Sequence, residues 1–272
     1  MPSVTVSPAE VAQFDALAAR WWDPDGPMRP LHRMNPTRVA WIAARIRRDG
    51  RWALQRAQET PPPLAGGGWG EGNAGAAQPP PPSPLPQGEA LPRLLDVGCG
   101  AGVAAEAFAR LGFDVLGLDA AGGAIEAARA HAEGQGLPLA YRTGVAEDLL
   151  TEPARFPIVT ALEVIEHVPN PAAFLATLAA LLAPGGKLFV STLNRTPQSF
   201  LAAKVGAEYV LRWLPIGTHD WRKFITPAEL DDMLRRVGLR VSDITGLVAD
   251  PLTGRWSVSR NLSVNYLVAV EG

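Results

Sequence analysis

The chain has 272 residues, 47% of them apolar, which suits one α/β domain with additions and a sizeable core. A formal net charge of −2 gives no reason to expect nucleic acid as a partner. The single cysteine, Cys99, excludes an internal disulfide framework and fits a reducing, cytoplasmic compartment. No N-terminal segment reads as a signal peptide, and the longest strongly apolar run, 172–183, is too short to span a bilayer.

Ser7-Pro8-Ala9-Glu10 predicts a helix start, with Ser7 as N-cap, Pro8 at the first helical position and Glu10 closing a capping box. Phe14, Leu17, Ala18 and Trp21 follow at helical spacing, and Pro24 stops the run. Asn35-Pro36 predicts a second helix opening the same way, with Val39, Ile42, Ala43 and Ile46 on one face. These N-terminal cap helices, within residues 1–59, precede the first strand and are expected to cover a site on the sheet. Residues 60–92 are rich in Pro, Gly, Ala and Ser and poor in large apolar side chains. Such a stretch buries too little apolar surface to offset its ordering entropy, so a disordered spacer is expected.

From residue 93 to 272 strands and helices alternate. Strands are predicted at 94–97, 113–118, 138–142, 157–163 and 187–193, and helices at 102–111, 122–134, 146–150 and 171–183. Gly122-Gly123 opens the second of these helices loosely, and Pro184-Gly185-Gly186 predicts a sharp turn into the fifth strand. The segments 239–247 and 262–270 read as sixth and seventh strands. The expected fold is α/β: a doubly wound, mostly parallel seven-stranded sheet with a helical insertion after strand five.

The stretch Leu94 to Gly102 is an apolar strand running into a turn spaced G-x-G-x-G, at Gly98, Gly100 and Gly102. About twenty residues on, a second strand ends in Asp119. Glycines let backbone approach a nucleoside without a Cβ, and an acid at the next strand end can accept hydrogen bonds from two ribose hydroxyls. Dinucleotide sites favour G-x-G-x-x-G instead. Asp96, just ahead of the turn, suits a cationic amino group, which S-adenosylmethionine has and a dinucleotide lacks. This pattern resembles motif I of the class I S-adenosylmethionine methyltransferases. Cys99 reads as a small side chain beneath the cofactor.

Strand four runs into Glu163-Val164-Ile165-Glu166-His167. If the chain turns helical after Glu163, the spacing i, i+3, i+4 points Glu163, Glu166 and His167 to one side. Two carboxylates and an imidazole suit a magnesium ion; the alternatives are His167 acting alone as a general base, or neither role. Either chemistry serves methyl transfer to a phenol. With a pKa near 10, a phenol costs about 4 kcal/mol to ionise at pH 7. A metal lowers that cost as a Lewis acid, whereas a histidine takes the proton during transfer. His219, in Gly217-Thr218-His219-Asp220, is a second candidate base, with a surface histidine held by Asp220 as the alternative. His131 falls in a predicted surface helix and receives no role. The segment 198–216 is apolar except for a stripe of Lys204, Glu208 and Arg212. It reads either as a packed helix or as a membrane-surface contact and wall for a long apolar substrate.

Several segments together resemble the ubiquinone biosynthesis O-methyltransferases: Phe14-Asp15 to Trp21-Trp22-Asp23, Leu31 to Arg38 with its N-P-x-R, Leu95 to Gly102 and Glu163 to Val168. Further along come Ser191-Thr192-Leu193-Asn194-Arg195, Gly206 to Tyr209, Gly217 to Asp220 and Asn265-Tyr266. The resemblance spans nearly the whole chain except 60–92. It implies a Rossmann-like class I fold, with Arg38, Gly98, Asp119 and Leu162 contacting S-adenosylmethionine and Glu163, Glu166 and His167 forming a magnesium site. It implies methylation of two polyprenylated catechols, 2-polyprenyl-6-hydroxyphenol and 3-demethylubiquinol. It further implies peripheral contact at the inner face of the membrane through 198–216; a quinone-biosynthesis complex is a candidate partner. Two other readings stay open: a methyltransferase for another phenolic or lipid acceptor, and a non-catalytic cofactor-binding subunit of such a complex.

Overall fold

The structure is a computed structural model and describes residues 6–49, 91–201, 220–250 and 253–272. The spacer expected at 60–92, apart from its last two residues, lies outside the described residues, as do residues 202–219 of the apolar insertion and the loop with His219.

Eight strands form one sheet: β1 (Arg93–Val97), β2 (Asp114–Asp119), β3 (Leu139–Thr143), β4 (Phe156–Leu162), β5 (Leu182–Leu193), β6 (Arg240–Ala249), β7 (Trp256–Ser259) and β8 (Asn265–Glu271). Their order is β3-β2-β1-β4-β5-β8-β6-β7. The first five are mutually parallel, and β8, β6 and β7 are added antiparallel. The expected doubly wound sheet is therefore present with one strand more than the seven predicted. Trp256–Ser259 pairs with the end of β6 as an edge strand. Its four residues, half of them serine, carry too short an apolar pattern to signal a strand.

Alternation along each central strand divides the core into two layers. Leu94, Ile158, Phe189 and Leu267 face one cluster with Ile42 and Ile46 of α2 (Arg29–Arg48) and Phe108 of α3 (Val103–Arg110). Their chain neighbours Leu95, Val159, Leu188, Val190 and Val268 face the other, with Leu178 of α5 (Pro171–Leu181) and Leu230 and Leu234 of α7 (Pro227–Arg236). Burial on both faces is what a parallel sheet needs, and it explains why these strands are continuous apolar runs. Two further described helices are α4 (Gly122–Ala132), beside β2 and β3, and α6 (Pro197–Ser199), a single turn near the end of its described stretch.

The N-terminal helices depart from expectation in three ways. Helix α1 (Pro8–Asp15) stops well before Pro24, and a 3-10 turn at Ala18–Arg20 replaces the rest. Ser7 sits at the N-cap without a side-chain hydrogen bond, so the capping box is not formed. Helix α2 starts at Arg29, ahead of the predicted Asn35-Pro36, and carries Pro36 inside it. Pro30 in its first turn supplies the opening role expected of Pro36. The predicted buried face is present, with Val39, Ile42, Ala43 and Ile46 all buried. On the other side of the sheet, β5 begins pairing at Leu182, and a register shift follows where the turn into the strand was predicted.

Candidate active site

Strands are added outward on one side of β1 and then, from β4, on the other, so a crevice opens beyond the carboxyl ends of β1, β2 and β4, where doubly wound sheets take ligands. The pocket there is lined by residues from the glycine turn, from the ends of β2 and β4 and from the N-terminal helices. Gly98 and Gly100 line it with φ of 70° and 54°, a region that favours glycine. A Cβ on Gly98 would overlap Val164, and one on Gly100 would overlap the Trp21 ring. Gly102 (φ 87°) does not line the pocket; it sits against the Tyr141 hydroxyl at the start of α3. There a Cβ would overlap the Tyr141 ring, so the glycine serves helix–strand packing.

Asp119 ends β2. Its Oδ2 accepts the Gly100 N–H and its Oδ1 the Ala121 N–H, both at 2.8 Å. These bonds fix the carboxylate, and a carboxylate oxygen can accept more than one hydrogen bond, so ribose hydroxyls still have acceptors. Burial pushes its pKa up. Asp96 is buried in β1, with Oδ1 accepting from Thr160 Oγ1 at 2.6 Å. Its Oδ2 is buried without a protein hydrogen-bond partner, and burial raises the group to about 6. Arg38 reaches the same pocket from α2, its Nε donating to Asn35 Oδ1 at 2.9 Å and its Nη1 buried without a partner. Leu162 lines the pocket from the end of β4. Asp96 and Arg38 thus offer an unspent acceptor and an unspent donor, the complement of an α-ammonium and an α-carboxylate. The residues present fit S-adenosylmethionine: glycine cradle, ribose acid and amino-acid pair.

The E-x-x-E-H cluster follows. Glu163 has φ 58°, the one positive value among described non-glycine residues, and such strain concentrates at functional sites. It is held by Ser191, whose Oγ donates to its Oε1 at 2.7 Å, and its own N–H lies 3.1 Å from the Ser191 carbonyl oxygen. The helical turn, a 3-10 one, starts only at Ile165–His167. Three residues per turn, with Glu163 outside it, separates the side chains. Glu163 and His167 line the pocket; Glu166 turns to β5 and accepts from Thr192 Oγ1 at 2.9 Å. The expected single-sided triad is not assembled. Among the described residues no group of three or more His, Cys, Asp and Glu side chains is arranged to hold a metal ion. The predicted magnesium set of Glu163, Glu166 and His167 therefore does not fit this geometry. Burial, reinforced by the nearby Glu163 charge, raises Glu166 to about 7.

His167 is gripped instead by a residue no local pattern announces. Glu10 Oε2 lies 3.0 Å from its Nδ1, and Phe14 of the same helix packs edge-on at 5.2 Å. Glu10 Oε1 also accepts from Lys223 Nζ at 2.8 Å. The carboxylate predicted to close a capping box is spent on the His167 ring and the Lys223 ammonium instead. Burial would lower the His167 pKa, but the Glu10 hydrogen bond and the charges of Glu166 and Glu163 outweigh it, and the net shift is upward. Glu10 in turn falls to about 2, mainly through the His167 bond. The segment around α1 is tied down further. Trp22 Nε1 donates to the Ala101 carbonyl, and its ring stacks on His131 at 3.4 Å. Asp15 accepts the Gly123 N–H at 2.8 Å, so the double-glycine start of α4 is held rather than loose. His131, given no role from sequence, also bonds buried Glu106 at 2.6 Å.

Sheet order, glycine cradle and amino-acid pair define an S-adenosylmethionine-dependent methyltransferase of the Rossmann-like class. Comparison with known proteins agrees. A family model described as a methyltransferase domain matches residues 69–244. A ubiquinone biosynthesis O-methyltransferase of Cereibacter sphaeroides (strain ATCC 17025 / ATH 2.4.3) is 46% identical over 97% of this chain and 96% of its own length. The protein of that name from Methylobacterium sp. (strain 4-46) is also 46% identical, over 98% and 96%. The chain belongs to the ubiquinone biosynthesis O-methyltransferases. Among solved structures, a methyltransferase in complex with the Trm112 activator of Haloferax volcanii matches 95% of this chain and 96% of its own, at 18% identity and a TM-score of 0.56. A chain from a study of disulfide-to-thioacetal conversion in echinomycin biosynthesis matches 66% and 75%, at 23% identity and a TM-score of 0.51. These two speak for the fold alone.

Proposed function

We propose that this chain methylates a catechol hydroxyl of polyprenylated ubiquinone precursors, 2-polyprenyl-6-hydroxyphenol and 3-demethylubiquinol, with His167 as the general base. The observation that carries the reading is His167, fixed by Glu10, lining the same pocket as Asp96 and Arg38. When bound, S-adenosylmethionine supplies an electrophilic methyl group on a sulfonium. Asp96 and Arg38 hold its amino-acid end and Asp119 its ribose, which fixes the line along which an acceptor oxygen must approach. His167 takes the phenol proton. Glu10, on Nδ1, fixes the ring orientation and stabilises the imidazolium that results. Glu163 and His167 line the pocket without a third ligand side chain beside them among the described residues, so the phenol proton falls to His167. Val6, Val11 and Phe14 give the pocket an apolar wall suited to an aromatic ring.

The long apolar tails of such substrates favour peripheral work at the membrane. Among the described residues no helix is long and apolar enough to cross a bilayer. Phe200 and Leu201 are exposed where the apolar insertion begins, and they suit the membrane contact proposed for 198–216.

The test is methyl transfer to a short-chain prenyl catechol in magnesium and in EDTA, for wild type and His167→Ala, with co-sedimentation on phospholipid vesicles as a second readout. The expected results are turnover that survives EDTA, a loss of about 10²- to 10⁴-fold in the variant, and recovery of protein with the vesicles. Activity abolished by EDTA and restored by magnesium would replace the base with a metal. No turnover with cofactor bound points to another acceptor, and protein left in solution removes the membrane contact.

A further inference from the structure

Asn35 is buried in α2, three residues before Arg38 and on the same helix face. Its amide bridges two parts of the site. The Oδ1 accepts from Arg38 Nε at 2.9 Å, and the Nδ2 donates to the Val103 carbonyl at 2.8 Å. Val103 is the first residue of α3, directly after the glycine turn. Only one orientation of the amide satisfies both neighbours, since Arg38 has no acceptor and a carbonyl has no donor.

Arg38 needs such an anchor. Its guanidinium is buried with the charges of Asp96 and Glu163 both acting on it. A long cation free to rotate there would settle into a bidentate pair with either carboxylate, the geometry arginine favours. That pairing would consume its terminal nitrogens and, at Asp96, the oxygen left for the ammonium group. Asn35 engages Nε and leaves Nη1 buried and unpartnered at the pocket.

We infer that Asn35 is a positioning residue for the carboxylate of S-adenosylmethionine: it aims Arg38 at that carboxylate and keys Arg38 to the glycine turn. The inference rests on the reading that Arg38 meets that carboxylate. Asn35 touches neither cofactor nor acceptor, so its effect belongs to cofactor binding and not to the chemical step.

The experiment compares binding of S-adenosylmethionine with that of its decarboxylated analogue, together with KM and kcat, for wild type, Asn35→Leu, Asn35→Ser, Asn35→Asp, Arg38→Gln and Asn35→Leu/Arg38→Gln. Leu removes the acceptor and fills the space, while Ser draws its oxygen back from Arg38 and leaves room for water, so a folding failure in one leaves the other to be read. We expect Leu and Ser to raise KM for S-adenosylmethionine about tenfold, the scale of a hydrogen bond to a charged group, with kcat within about twofold and binding of the analogue near wild type. Asp offers Arg38 a bidentate carboxylate and turns an acceptor toward the Val103 carbonyl, so it should lose the preference for the carboxylate as Leu and Ser do. The double variant should bind no more weakly than Arg38→Gln alone, because Asn35 acts through Arg38. Equal losses for both ligands, or additive losses in the double variant, would overturn the role of Asn35. Loss of both ligands alike in Arg38→Gln would instead overturn the reading of Arg38 itself.

Discussion

Asp96 carries the clearest single-residue consequence. With one oxygen on Thr160 and the other buried without a donor, its ionised form is costly, and its pKa stands at about 6 against an ordinary 3.8. A raised carboxylate stabilises the fold fully below its unfolded value, and that contribution is lost as pH rises through the folded one. Across this gap the loss is about 3 kcal/mol. An ammonium group beside the bare oxygen reverses the preference, because it binds the charged form. The affinity for S-adenosylmethionine is therefore expected to be flat above about pH 7 and to fall by up to about tenfold per pH unit below about 6. Calorimetric titration from pH 5 to 8 measures this. In Asp96→Asn the acid limb should vanish, with affinity about 10- to 100-fold lower at neutral pH. An unchanged limb in that variant would assign the titration elsewhere. Asp96, Asp119 and the glycines are legible in sequence because a short strand-turn segment fixes them locally. Glu10 and Asn35 are not, since they act on the site from helices far away along the chain and their partners emerge only with the fold.

Among the elements, α1 shows why local pattern can mislead. Ser7-Pro8-x-Glu10 has the composition of a capped start, yet Glu10 bonds His167 and Lys223 instead. Two charge-assisted bonds in a half-buried site outweigh one backbone cap. The central strands were readable because burial on both faces forces continuous apolar runs. The edge strand β7 was not, being short and half polar. The start of α2 was misplaced because Pro36 sits inside a helix whose opening turn holds another proline. Glu10 is ionised above the ordinary carboxylate range and protonates only as pH falls through about 2, so at neutral pH the latch on α1 is closed from the acid side. Glu10→Gln removes the charge while keeping the size. After solvent screening the loss should be about 1–2 kcal/mol, a factor of roughly 5 to 30 in the population of undocked α1. Hydrogen exchange of the amides in residues 8–15 should quicken by that factor. Unchanged exchange would show that packing of Phe14 and its neighbours holds α1 without the latch.

At the scale of the whole molecule, the pocket is closed by groups that no single segment supplies. The sheet gives Asp96 and Asp119, α2 gives Arg38, and the stretch after α1 lays Trp21 over Gly100. A ligand bridging them binds the folded chain and not the unfolded one, so it must stabilise the fold by mass action. At a hundred times its dissociation constant the gain is about 2.7 kcal/mol. At roughly 2–4 °C per kcal/mol for a domain of about this size, Tm should rise by about 5–10 °C. The product S-adenosylhomocysteine keeps the amino-acid and nucleoside ends and should give this shift. NAD lacks the ammonium group that Asp96 awaits and should give none. The shift should shrink at pH 5, where Asp96 is protonated in the free protein, and in Arg38→Gln at any pH. An NAD shift equal to that of S-adenosylhomocysteine would mean that the pocket reads only the nucleoside, and that Asp96 and Arg38 serve the fold instead of the cofactor.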